Sequence, residues 1–322
     1  MSMMSDSELA AMAGERSLEA PSSAATADDP NAVYALGSST GESARLQRQA
    51  EELAPDSAAL LDRIGLRPGD SAIDLGCGPR GVIDLLAERT APGGRVVGLD
   101  ADPAHVAMAS EFVASRSLRG VEVIRGDARH TGLNSSSFDL VHARTLLVTV
   151  PEPAEVLREM VRLTRPGGWV AGLEPDTEIA ICYPPHSAFD RLCEIFTAAF
   201  RRNGANPHFG RRMAELYREA GLEDVTVEVR ASVYPHGHSR RTVRADLVRS
   251  MHLEIIEMGL CDQQELNELD TAARKHLENP DVLVMPSLNF LAWGRKPAAA
   301  STSAELATSS SDPALPTHGR RH

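Results

Sequence analysis

Residues 71–81, SAIDLGCGPRG, run an apolar strand straight into a glycine turn and on into the helical stretch VIDLLAERT. Gly76 and Gly78 carry no Cβ, so a ligand can lie against bare backbone at those two positions of the turn, and Pro79 suits the first turn of the helix that follows. Gly76, Gly78 and Gly81 also satisfy the GxGxxG spacing of dinucleotide sites, in which a pyrophosphate rests on the helix N-terminus. Asp74 speaks against a phosphate ligand. It stands two residues before the first glycine, where a carboxylate repels a diphosphate and suits an ammonium or a sulfonium.

The run IDLGCGP resembles motif I of the seven-stranded class I S-adenosylmethionine-dependent methyltransferases, and the likeness extends from about Tyr34 to Pro297. Arg80 departs from that pattern, which usually carries a small residue there. The resemblance implies that Gly76, Cys77 and Gly78 wrap the methionine and ribose parts of the cofactor, and that Asp74 orients its amino group. It further implies that the N-terminal helix covers the cofactor, bringing Tyr34 and Arg45 to its carboxylate. A surface tyrosine and a surface arginine are the alternative for these two.

The rest of the chain alternates strand and helix. GRVVGLD ends in Asp100, 22 residues beyond Gly78, a distance at which a carboxylate can accept both hydroxyls of a ribose diol. Ala101 then falls under the adenine. VEVIRGDA ends in Asp127, which in the family accepts from the adenine amino group while the N–H of Ala128 meets the ring. FDLVHARTLL reads as a fourth strand and AEVLREMVRL as a helix buried through Val156, Leu157, Met160 and Val161. The fifth strand, GWVAGLEPD, follows the lead-in RPGG, and GLEDVTVEV and SLNFLAWGRKP read as the sixth and seventh.

Five strand–helix units in succession predict an α/β fold, a Rossmann-like, seven-stranded, mainly parallel sheet with helices on both faces. A capping box from Ser39 to Glu42 opens a helix whose Leu46, Ala50 and Leu53 share a face up to Pro55. Insertions around the sixth strand, 178–212 and 231–286, are expected to form a mostly helical cap over the methyl group, with helices near 241–258 and 262–277. The methyltransferase domain is expected over 31–297, between disordered tails at 1–30 and 298–322 that are rich in Ala and Ser.

Asp74, Asp100, Asp127, Arg144 and Glu174 all fall at or just beyond predicted strand ends, and open α/β sheets bind their ligands there. Methyl transfer from a sulfonium is an in-line displacement. The protein must align nucleophile and methyl carbon, exclude water and, where needed, remove a proton. The candidate bases are Glu174, His142 and His208, with His236 and His238 as a loop pair of weak metal-binding character. Glu174, delivered to the rim by GWVAGL and followed by Pro175, is expected to orient or deprotonate the nucleophile. Its alternative is a buried carboxylate tied to a backbone N–H or to Arg144, and that of His142 is a satisfied core histidine.

The expected function is transfer of a methyl group to O, N or C of a small metabolite, with S-adenosylmethionine as cofactor and S-adenosylhomocysteine as product. The nearest resemblance is to quinone-biosynthesis and secondary-metabolite tailoring methyltransferases. A cyclisation or rearrangement that uses the cofactor without methyl transfer is the alternative, and Asp74 and Asp127 weigh against an NAD-linked dehydrogenase. HART occupies the place where a DPPY or NPPF run would stand at the fourth strand, which argues against the nucleic-acid amino-methyltransferase branch. Of the formal net charge of −12, residues 1–30 supply six acids and one arginine. No polybasic run accompanies them, so neither nucleic acid nor an anionic membrane is an expected partner. The four cysteines form no CxxC pair, no metal ligand set stands out, and no apolar run reaches the roughly 18 residues of a membrane span. A cytoplasmic protein is expected, and a homodimer is left open.

Overall fold

The computed structural model describes residues 40–298. Tyr34, Ser39 and the expected tails, apart from Ala298, lie outside the described residues. The chain enters through helices α1 (Thr40–Glu52) and α2 (Ala54–Ile64). Pro55 sits in the first turn of α2, and Gly65, at φ +69°, ends it with its N–H on the carbonyl of Leu61. Then follow β1 (Ser71–Leu75), α3 (Ile83–Thr90), β2 (Arg95–Asp100), α4 (Pro103–Ser115), β3 (Val121–Arg125), β4 (Phe138–Arg144), α5 (Pro153–Leu163) and β5 (Thr164–Asp176). The Asp102 carboxylate accepts the Ala104 N–H and Pro103 opens α4, a start signal written in the sequence.

The second half holds β6 (Ile181–Tyr183), α6 (Ser187–Arg202), α7 (Phe209–Glu219) and β7 (Glu223–Ala231). A 3-10 turn at Ser239–Thr242 leads into α8 (Val243–Ser250), α9 (His252–Glu257) and α10 (Gln263–Leu277), and β8 (Leu283–Met285) and β9 (Leu288–Arg295) close the chain. Seven strands make one sheet in the order β3-β2-β1-β4-β5-β9-β7. The pairs from β3 to β5 are parallel, and β9 runs antiparallel to both its neighbours.

Alternate residues of the strands feed two cores. Ile73, Leu75, Val97, Val141 and Ala143 face α5, α6 and α7, while Ala72, Val96, Leu140, Leu173 and Trp293 face α2 and α3. The first core continues without a break through Leu192, Phe196 and Phe200 of α6 into Val248 of α8 and Ala273 of α10. The inserted helices therefore share the core of the sheet.

Three details differ from the sequence expectations. Strand β5 already begins at Thr164, because RPGG is drawn into the sheet by the bonds between Gly167, Gly168 and Lys296. The expected helix over 241–258 breaks at Met251 into α8 and α9. Residues 181–183 and 283–285 pair as a two-stranded ribbon whose strands are too short to show a period in sequence.

Candidate active site

The glycine turn is locked by the acid that precedes it. Parallel register sets Asp74 beside His142 of β4. Its Oδ1 meets His142 Nδ1 at 2.8 Å, and its Oδ2 accepts the Val82 N–H at 3.0 Å. Gly81 lies at φ +56°, and a Cβ there would stand 2.1 Å from Asp74 Oδ2. The turn thus needs the carboxylate, and the carboxylate needs the glycine. Asp74 borders the cleft described next but is only 1% exposed. Asp74, expected at a ligand amino group, stands at the border of the cleft with its oxygens engaged by the turn and the imidazole. Arg80, the departure from the motif, reaches out of the turn to Asp84 and Glu51 and lies over the Phe112 ring.

At the carboxyl ends of β1, β2 and β4 opens a cleft with about 1080 Å³ of empty space, part of it open to solvent. Gly76, Cys77, Gly78, Asp100, Ala101, Asp127, Ala128 and Arg144 line it, so the structure brings together most of the expected cofactor residues. Asp100 Oδ2 accepts the Gly78 N–H at 2.7 Å and Oδ1 accepts the Asp102 N–H at 2.9 Å, which ties the end of β2 to the glycine turn. His105 stands 3.4 Å from the same carboxylate. Asp127 is gripped by Arg129, Nη2 to Oδ2 at 2.8 Å and backbone N–H to Oδ1 at 2.8 Å. Burial alone would raise this carboxyl, but the guanidinium and N–H bonds of Arg129 hold it below its ordinary value. Burial pushes the Cys77 thiol well up, reinforced by Asp100 and Asp74, so it stays neutral. Arg144 donates to Ser57 Oγ and to the Gly81 carbonyl, and burial lowers its guanidinium to about 10 against the opposing pull of Asp74.

Four aspartates, 74, 100, 102 and 127, border this cleft against two arginines, 129 and 144. That balance disfavours a diphosphate and suits a ligand carrying ammonium and sulfonium charge. The cleft accordingly fits S-adenosylmethionine: glycine backbone at one side, the Asp100 carboxylate beside it, and Asp127–Ala128 at the far end.

A second cavity, with about 660 Å³ of empty space, lies beneath α6 and α8. Phe196, Phe200, Val243 and Leu247 give it an apolar roof, and Arg45, Arg240 and Arg244 are the charged residues among its described lining. Arg45, expected at the cofactor carboxylate, borders the second space rather than the first, with its Nη1 on Gln49 Oε1. Gln49 and Thr145 border both spaces, joined by a hydrogen bond from Gln49 Nε2 to Thr145 Oγ1 of 3.1 Å. Thr145 sits at φ +51° with its N–H on the Leu173 carbonyl. A β-branched residue in that region stores on the order of 1–3 kcal/mol of strain, which marks functional positions.

The expected bases lie elsewhere. Glu174 is fully buried and outside both linings. Its Oε1 accepts the N–H groups of Leu146 and Leu147, and Oε2 that of Val148, at 3.0–3.1 Å. It is a structural carboxylate that ties down the loop after β4. Burial pushes it up to about 8, while the three N–H bonds pull the other way. His142 is fully buried in the sheet against Asp74. His208 belongs to a surface network, 3.1 Å from Glu178 and 3.1 Å from Arg201. Neither histidine borders either of these two cavities. His238 accepts the Arg240 N–H and caps the 3-10 turn, and the described residues hold no group of three metal-ligating side chains. Gln49, Thr145, Arg129, His105, Arg240 and Arg244 were not foreseen. Only the arginine spacing in SRRTVR carried a signal for any of them.

A methyltransferase-domain family model matches residues 73–172. The demethylmenaquinone methyltransferase of Geobacillus kaustophilus is 30% identical over 181 residues, 52% of this chain and 77% of that protein. An uncharacterized 37.1 kDa protein in transposon TN4556 of Streptomyces fradiae is 35% identical over 178 residues, and the chain spans half of that protein's length. In fold, a putative methyltransferase from Bacillus halodurans superposes with a TM-score of 0.50 at 18% identity, covering 76% of this chain and all of that one. The chain belongs to the class I S-adenosylmethionine-dependent methyltransferase family.

Proposed function

We propose that this protein moves the methyl group of S-adenosylmethionine to O, N or C of a small molecule held in the second cavity. The observation that carries the reading is the wall shared by the two cavities at Gln49 and Thr145. The cofactor supplies a methyl group already activated by its sulfonium, so the chain's task is alignment and exclusion of water. Asp100 and the glycine turn would hold the ribose, Asp127 and Ala128 the adenine, and Arg144 a carboxylate. The segments 178–212 and 231–286 serve as the cap. Phe196, Phe200, Val243 and Leu247 keep the acceptor space dry from that side.

Among the described residues, the lining of the second cavity offers arginines and no carboxylate or histidine. The acceptor atom therefore loses its proton through its own acidity, before or during transfer, rather than to Glu174, His142 or His208. The name of the Geobacillus kaustophilus relative, a demethylmenaquinone methyltransferase, supports a largely apolar acceptor. No helix among the described residues is long and apolar enough to cross a membrane. The four free cysteines suit a reducing compartment, and a cytoplasmic location goes with the proposal.

The test is mass spectrometry of the protein with methyl-deuterated S-adenosylmethionine and a panel of small metabolites. Deuterium in a product is the expected result. An isomerised product that lacks the label would overturn transfer in favour of a cyclisation or rearrangement.

A further inference from the structure

Three arginines in the stretch SRRTVR are almost completely buried, and they are satisfied very differently. Arg241 is what a structural arginine looks like. Its Nε, Nη1 and Nη2 all donate to carbonyls, of Leu277, Tyr234 and Asn279, and it borders neither cavity. Arg244 is 3% exposed and borders the second cavity. Its Nη2 donates to the carbonyls of Thr177 at 2.6 Å and Pro286 at 3.2 Å, but Nε and Nη1 have no hydrogen-bond partner. The guanidinium lies 4.4 Å from the centre of the Phe196 ring, beside the neutral Cys193 thiol. Arg240 meets Glu52 at 3.4 Å through Nη1, and its buried Nε also lacks a partner.

Buried cations are normally paired, because a guanidinium taken out of water without an acceptor is costly. Here two stand side by side against an apolar roof. Glu52 pairs with Arg240 and also accepts from Ser239, Asp56 accepts from Asn289 Nδ2 at 3.3 Å, and no acid among the described residues forms an ion pair with Arg244. Burial lowers the Arg244 guanidinium, the Cys193 sulfur beside it pulls the other way, and Arg240 adds a smaller repulsion. Among the described residues no glycine borders this cavity, so the described lining offers no bare-backbone cradle of the kind with which proteins commonly surround a phosphate.

We propose that the acceptor carries a carboxylate on an apolar frame, and that Arg244, assisted by Arg240, anchors that carboxylate at the cap side of the second cavity. This rests on the proposed function, since it takes the second cavity as the acceptor site. A cap-side anchor leaves the rest of the molecule to reach the wall at Gln49 and Thr145. Arg244 is then a specificity determinant: it selects acids over the corresponding neutral amides and esters.

The experiment is calorimetry on the full chain saturated with S-adenosylhomocysteine. Two isosteric pairs serve as probes, benzoate with benzamide and 3-phenylpropanoate with 3-phenylpropanamide, together with phenyl phosphate. The proposal expects at least one acid to bind ten-fold or more tightly than its amide. Arg244→Met should erase that preference and Arg240→Gln should reduce it, with S-adenosylhomocysteine affinity unchanged in both. No preference for either acid, a preference that survives Arg244→Met, or phenyl phosphate binding more tightly than both acids overturns the proposal. Should Arg244→Met not fold, the comparison of acid with amide on the native chain and the Arg240→Gln variant still decide. A chain that fails to take up S-adenosylhomocysteine brings down the proposed function itself, whereas saturation without acid preference brings down this proposal alone.

Discussion

At Glu174, three backbone N–H groups converge on one buried carboxyl, and a glutamine there would set its own N–H donors against one of them. Glu174→Gln should therefore cost on the order of 1–3 kcal/mol of stability, the usual penalty for an unsatisfied buried group, and loosen the loop that carries Thr145. Its pH dependence has a definite sign. The folded value, about 8, lies above the ordinary 4.5, so the folded state holds the proton more tightly than the unfolded one. The stability this contributes is full below about 4.5 and is lost as pH rises through about 8. Urea titrations should show the wild-type advantage over Glu174→Gln shrinking across that window, and an advantage that grows with pH would show that the N–H bonds outweigh burial. Asp100→Asn removes the charge that the ribose site relies on and should weaken S-adenosylhomocysteine by roughly 10- to 100-fold, equal to about 1.5–3 kcal/mol; unchanged affinity by calorimetry would reject that assignment. Asp100 was legible because its distance from the glycines is set by one strand–helix unit. The inward commitment of Asp74 was not, since it depends on the register between β1 and β4.

At the scale of elements, the strand–turn–helix from β1 to α3 is the part most fully written in the sequence. Gly81 is its tightest point, where left-handed backbone meets the Asp74 carboxylate. Gly81→Ala should destabilise the protein by at least the roughly 1 kcal/mol of a strained φ and more through the clash. It should also lose S-adenosylhomocysteine binding, whereas Gly93→Ala, in open space at φ +84°, should pay the strain alone. A circular-dichroism melt and calorimetry on the two variants separate these outcomes. The central strands were readable from continuous apolar runs, and α5 from its 3.6-residue stripe. The β6–β8 ribbon and the break at Met251 were not, because three residues show no period and a helix break without Pro or Gly leaves no mark. The arginines of SRRTVR were passed over for a related reason. Whether such a side chain ends on a carbonyl or in a cavity is settled by packing against distant segments, here Thr177 and Pro286 for Arg244.

At the scale of the molecule, one sheet positions two spaces. The carboxyl ends of β1, β2 and β4 shape the first, and inserted helices fused to the same apolar core roof the second. Sequence located the first space through its aspartates and glycines and placed a cap over it. It missed the meeting point, because Gln49 comes from the entry helix and Thr145 owes its place to a backbone angle. The account depends on that junction, and a crystal structure of the full chain with S-adenosylhomocysteine tests it most directly. The adenosine should lie against Asp100 and Ala128, with the thioether sulfur at the wall made by Gln49 and Thr145 and the second cavity left open. A ligand seated in the second cavity, or a sulfur turned away from Gln49 and Thr145, would contradict it.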